Sequence, residues 1–128
     1  MGRRVALLVV VLAAAVAAVP VAGAKDGVRA TLTSTVPRVA PAGTTIVVTF
    51  VLRDRTGHPF NAERVFVKLI CPEKDVSSLA FASSASHADG RYRVVATVPA
   101  GGLGTMRIGL RGSSDVYFPI TNDPLPTP

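Results

Sequence analysis

DGRYRVVATVPAGGLGTMRIGLR, residues 89–111, is the stretch whose reading decides the fold class. Tyr92, Val94, Ala96 and Val98 alternate with Arg91, Arg93, Val95 and Thr97, the period-two pattern of a strand with one buried side. After the proline and glycine loop, Met106, Ile108 and Leu110 alternate with Thr105, Arg107, Gly109 and Arg111 in the same way. Read locally, the two runs form a hairpin. An isolated hairpin is marginal in water, so its apolar side must lie on a second sheet supplied by the rest of the chain.

Working outward, strand signals recur about every ten residues, with turn chemistry between them. Val28–Ser34 alternates and reads as an edge strand, followed by Pro37 and the turn Pro41-Ala42-Gly43. Thr44–Arg53 turns Ile46, Val48, Phe50 and Leu52 inward, and its other face is mostly β-branched. The loop Asp54–Asn61 carries Phe60, expected to tuck onto the core. Arg64–Cys71 resumes alternation and Pro72 ends it. Ser78–Ser84 is a shorter strand with Leu79 and Phe81 in step, and Val116–Ile120 is a last strand or an extended segment against an edge. The expectation is all-β: a two-sheet antiparallel sandwich of about seven strands.

The chain's first residues have a different character. Arg3 and Arg4 precede Val5–Val19, which holds no polar residue, and Pro20 and Ala22-Gly23-Ala24 follow in the three-region order of a signal peptide. Residues 1–24 are therefore read as a signal helix, or as an N-terminal membrane anchor if uncleaved. Residues 25–120 are read as the sandwich domain, and residues 121–128, with three prolines, as a disordered tail. The place of action is extracytoplasmic: secreted, periplasmic or on the cell surface. From Lys25 onward, 12 Lys and Arg face 8 Asp and Glu, a net +4. That balance favours anionic surfaces and is too small to imply nucleic acid. The one cysteine, Cys71, has no internal partner, so the core alone must hold the fold in an oxidising compartment.

Asp89-Gly90-Arg91-Tyr92-Arg93-Val94 resembles the D-G-x-Y-x-V signature of immunoglobulin-like β-sandwiches, in which a tyrosine near the start of the sixth strand closes a corner. Tyr92 would be that tyrosine. Over Val28–Arg111 the pattern is also similar to bacterial extracytoplasmic immunoglobulin-like domains of the YtkA-like and FixH-like group. The elements are the turn Pro41-Ala42-Gly43, the Gly90-x-Tyr92 strand and the loop Gly101-Gly102-x-Gly104; where those domains often carry an aromatic after the loop, this chain has Met106. The resemblance implies fold and location, and fold does not imply function.

Four groups of residues bear on function. His58, His87, Cys71 and Met106 are types that suit copper or zinc, with His58 and His87 the exposed candidates, yet none stands at ligand spacing from another. Cys71 lies at an inward position, where a thiol is inert, and the serines near His87 lack a nucleophile elbow, so no enzyme and no cofactor are expected. Gly101-Gly102-Leu103-Gly104 joins two strands and opens no helix, so it is a loop and no phosphate cradle. The hairpin's outer face would gather Arg91, Arg93, Arg107 and Arg111, with Phe66, Lys68 and Ile70 from the neighbouring strand. That basic face suits an envelope protein or an anionic surface. The functional expectation is a non-catalytic binding or structural module at the cell envelope; the alternative is a periplasmic copper or small-ligand carrier.

Overall fold

The computed structural model describes residues 27–83 and 88–125. The segment read as a signal helix lies outside them. Seven strands follow in order: β1 (Arg29–Leu32), β2 (Thr45–Arg53), β3 (Val65–Cys71), β4 (Val76–Phe81), β5 (Arg91–Thr97), β6 (Thr105–Leu110) and β7 (Val116–Phe118). They form two antiparallel sheets, β1-β2-β5 and β4-β3-β6-β7. The chain thus lays two strands in the first sheet and two in the second, returns once for β5, and finishes in the second.

The inner faces are those the alternation assigns. Val48, Phe50, Leu52, Tyr92, Val94 and Ala96 from one sheet meet Val65, Val67, Leu69, Met106, Ile108 and Phe118 from the other in a single buried cluster. Each large apolar side chain moved out of water there contributes about 1.5–3 kcal/mol. Phe60 tucks against this cluster as expected, with its ring edge-on to Phe118 at 5.9 Å. Met106 is core, and Cys71 is buried.

The expected hairpin does not form. β5 pairs with β2, from Thr45↔Thr97 to Val51↔Arg91, whereas β6 pairs with β3 on one side and β7 on the other. The glycine loop is therefore a crossing between sheets. Gly101 (φ 93) and Gly102 (φ 99) supply the left-handed turns, and a Gly102 N–H bond to the Pro99 carbonyl closes the bend. Alternation says which side chains face the core; it is silent on which strand lies alongside. A β5–β6 pairing would also have removed β6 from between β3 and β7, where both of its faces are largely covered.

Both open seams of the sandwich are stitched. At one, the Ser78 hydroxyl of β4 donates to the Thr97 carbonyl of β5, and Ser83 N–H donates to the Arg93 carbonyl at 3.3 Å. At the other, the chain after β7 runs parallel to β1: Ala30 N–H bonds the Pro119 carbonyl and Thr121 N–H bonds the Ala30 carbonyl, both at 2.8 Å. The Asn122 amide then extends that ladder, accepting from Leu32 N–H at 2.8 Å and donating to the Leu32 carbonyl at 3.0 Å. Covering sheet edges in this way removes templates for intermolecular pairing. It also ties down residues that composition alone reads as a frayed tail, since Leu125 joins the core cluster.

Candidate functional site

Separation of β5 from β6 divides the expected arginine cluster. Arg91 and Arg93 lie on the outer face of the three-stranded sheet, in rows with Val51 and Thr49. Phe66, Lys68 and Arg107 lie on the outer face of the four-stranded sheet, and Arg111 stands at its end, just past β6. One basic face becomes two, on opposite sides of the sandwich.

The four-stranded face is the more built of the two. Cross-strand register sets Phe81, Phe66, Gly109 and Tyr117 in one row from β4 to β7, with Leu79, Lys68 and Arg107 in the next. Phe66, expected to be exposed, is fully buried although it points away from the core. Opposite it Gly109 has no side chain; a Cβ there would come within 2.7 Å of the Phe66 ring. The Phe66 ring meets Phe81 and Tyr117 edge-on at 6.1 and 5.9 Å, making an aromatic belt across the sheet.

Cations cover this belt. The Arg107 guanidinium carbon lies 4.6 Å from the Tyr117 ring centre, that of Arg111 lies 5.6 Å from both Phe66 and Phe81, and that of Arg64 lies 5.6 Å from Phe81. Such contacts contribute about 0.5–1 kcal/mol each where exposed and hold the guanidinium planes in place. Asp115 receives two bonds from Arg111, Nε to Oδ1 and Nη2 to Oδ2, both 3.1 Å. Those bonds hold the Asp115 carboxyl below its ordinary range, with further help from the charges of Arg111 and Lys68, and they raise the Arg111 guanidinium. Among the described residues neither Lys68 nor Arg107 has an ion-pair partner. Beside Arg107 and Tyr117 a groove of about 530 Å³ runs off the face, bordered by Ile120, Thr121 and Asp123 and floored by Phe118 and Leu125.

Arg64, Phe81 and Tyr117 escaped the sequence reading. Tyr117 was legible as the outward residue between Val116 and Phe118. Phe81 was obscured because β4 inverts the usual order: small Ser78 and Ala80 turn inward beside β5, and Leu79 and Phe81 turn out. Arg64 gives no local signal, because its place depends on a backbone φ of 63°.

The residues considered for metal binding are not assembled. His58 sits in a tight turn. Asp54 Oδ1 accepts from Thr56 N–H at 2.9 Å, the Thr56 hydroxyl at 2.8 Å and His58 N–H at 3.0 Å, and the Thr56 hydroxyl also meets His58 Nδ1 at 2.6 Å. Hydrogen bonding, first from the Thr56 side chain and then from His58 N–H, lowers the Asp54 carboxyl from its ordinary value. Cys71 is at the far end of β3 from this loop, about 20 Å along the strand. His87 lies outside the described residues. Among those described, no three His, Cys, Asp or Glu side chains gather.

Tyr92 is in the fifth strand, within the three-stranded sheet, so it closes no corner of a sixth. Its hydroxyl reaches the β2–β3 loop, donating to the Phe60 carbonyl and accepting from Ala62 N–H. Burial pushes its phenol pKa up, so it holds this bond as a neutral donor.

Comparison with known protein families, characterised proteins and solved structures returns no match to this chain.

Proposed function

We propose that this chain is an exported, non-catalytic immunoglobulin-like module that docks at the cell envelope through the outer face of its four-stranded sheet. Three features support the immunoglobulin-like reading: a three-stranded and a four-stranded sheet, an order in which β5 returns to the first sheet, and β4 paired beside β3. The leader-like residues 1–24 support the exported one.

The observation that carries the docking reading is the concentration of Arg64, Lys68, Arg107 and Arg111 around one aromatic belt, where Asp115 bonds Arg111 alone. A solvated sheet face needs no such lattice. Cross-strand opposition of Lys68 and Arg107 costs stability, which makes sense where an external anion sits between them. Aromatic and arginine side chains together are the residue types that dominate binding patches.

The test compares two double variants in sedimentation with cell-envelope fractions at low salt. Lys68→Ala with Arg107→Ala should release the protein into the supernatant, and Arg91→Ala with Arg93→Ala, on the opposite sheet, should leave it bound. Equal loss from both pairs, or retention in both, overturns the assignment of this face.

A further inference from the structure

We propose that the groove beside Arg107 and Tyr117 is a further binding site, which shares Arg107 with the docking face and takes a short free peptide. The peptide's carboxylate sits on Arg107, its ammonium on Asp123 and an apolar side chain on the floor.

The groove opens because β7 leaves β6 before β6 ends. Their pairing runs from Leu110↔Val116 to Ile108↔Phe118 and stops there. Residues 119–121 then cross to the other sheet, where the Pro119 carbonyl and Thr121 N–H bond Ala30. Backbone groups of an extended chain point alternately to its two sides, so those of Ile120 face away from β1. On the opposite wall, Arg111 N–H bonds the Arg64 carbonyl of the β3 side, and the same alternation turns the Met106 N–H and carbonyl to the side that β7 has left. Met106 and Ile120 both line the groove, with no backbone bond between them among the described residues. Two splayed strand edges of this kind are the setting for strand addition by an extended peptide.

Opposite charges share the groove. Arg107, one step past the Ile108↔Phe118 pair, is level with Pro119 and rests over Tyr117 at 4.6 Å, and its planar guanidinium suits a two-pronged grip on a carboxylate. Asp123 is four residues beyond Pro119 along the same wall, a span of about 14 Å at most. Among the described residues neither of the two forms an ion pair. Asp123 Oδ1 accepts from Leu125 N–H at 3.0 Å, and burial pushes its carboxyl above the ordinary value, as a carboxylate drawn from water with no cation beside it must behave. Phe118 and Leu125, both buried, supply the apolar floor between them.

These features sort the occupants. An anion would meet Asp123, a cation would meet Arg107, and a neutral apolar molecule would strip water from both without replacing it. A zwitterion satisfies each. Among zwitterions, a free amino acid has no amide to pair with Met106 or Ile120, whereas a peptide offers amides to those edges and a side chain to the floor. At about 3.3 Å per residue, the span between the charges suits a peptide of about three residues.

The test is calorimetric titration of the purified chain with the tripeptide Ala-Leu-Ala, with its N-acetylated and C-amidated form, and with free leucine. The free tripeptide should bind, and blocking its ends, Arg107→Gln and Asp123→Asn should each weaken binding about tenfold. Asp123→Asn keeps an oxygen for Leu125 N–H, so it should melt with the parent, separating lost contact from lost fold. Amide NMR signals of Met106 and Ile120 should shift on binding; shifts confined elsewhere would place the peptide outside the groove. Equal affinity for the blocked form, or unchanged affinity in Asp123→Asn, would overturn the assignment of the two charges. Leucine binding as tightly as the tripeptide would overturn the strand pairing, and failure of every probe would remove the site. Asp123 is not part of the docking face, so the envelope sedimentation by which that face stands or falls is decided separately.

Discussion

The Tyr92 hydroxyl donates to the Phe60 carbonyl at 2.7 Å across 32 residues of chain, and it accepts from Ala62 N–H at 2.9 Å. One side chain thereby fixes both ends of a turn in the β2–β3 loop while its ring stacks on Phe50 at 5.4 Å. Tyr92→Phe keeps the stacking and strips both bonds, leaving partly buried backbone groups unpaired at a cost of about 1–3 kcal/mol. Denaturant unfolding should show a lower midpoint with an unchanged slope. A midpoint equal to the parent's would mean that the loop holds its shape without the phenol.

Gly109 is a glycine because Phe66 needs its space. A Cβ on Gly109 would stand 2.7 Å from both the Phe66 Cζ and the Val116 carbonyl oxygen, and the latter is backbone of the paired strand. Gly109→Ala should therefore destabilise by about 1–3 kcal/mol through overpacking and lever Phe66 off the sheet. Ring-current shifts on Phe81 and Tyr117 would report the movement. Unaltered shifts together with full stability would show the belt to be looser than its contacts indicate.

Much of this fold is written in the residues. Alternation in Tyr92–Val98 and in Met106–Leu110 places their inner faces correctly, because burying one side of a strand depends on local order alone. The same pattern carries no information about neighbours, and that is where the reading of a β5–β6 hairpin failed. Arg91 and Arg107 were joined into one face by that error. Lys68 and Phe66 were correctly placed beside Arg107, since β3 does border β6. Arg64 and Phe81 were invisible because one depends on a left-handed backbone and the other on an edge strand that turns its small residues inward.

Thr121–Leu125 is rich in residues of frayed termini, and tertiary bonds override that composition. Asn122 acts as an added rung on β1, and Leu125 is buried. Asn122→Ala should expose the Leu32 backbone and cost about 1–3 kcal/mol. Removing residues 121–128 should cost more, since Leu125 is lost as well. Amide exchange at Ala30 and Thr121 should accelerate in both variants. A truncated chain as stable as the parent would return this segment to the class of loose tails.

The Asp115 carboxyl is held below its ordinary value of 3.8, first by the hydrogen bonds from Arg111 and then by the nearby positive charges. Because the folded value is depressed, the pair's contribution to stability is present above the unfolded value near 3.8 and is lost as pH falls through the folded one. The contribution is small, as both groups meet solvent and salt screens them. A carbon-detected NMR titration should place the Asp115 midpoint below 3.8, and Arg111→Gln should move it up toward that ordinary value. An Asp115 midpoint that ignores the Arg111 substitution would mean the bidentate pair does not persist in solution.

Lys68 and Arg107 face each other directly across β3 and β6. Like charges so placed repel, and opposite charges attract by roughly 0.2–1 kcal/mol. Lys68→Glu should convert the first case into the second while leaving Arg107 seated over Tyr117. Repulsion between the new carboxylate and Asp115, whose field Lys68 now eases, offsets part of the gain. The variant should therefore be more stable than the parent at low ionic strength by a few tenths of a kcal/mol, and the difference should shrink as salt is added. It should also bind anionic polymers less well. Stability and binding moving in opposite directions on one substitution is what a face shaped for an external anion demands. If Lys68→Glu instead lowers stability while binding holds, the two cations are not in conflict and the case for an anion between them fails.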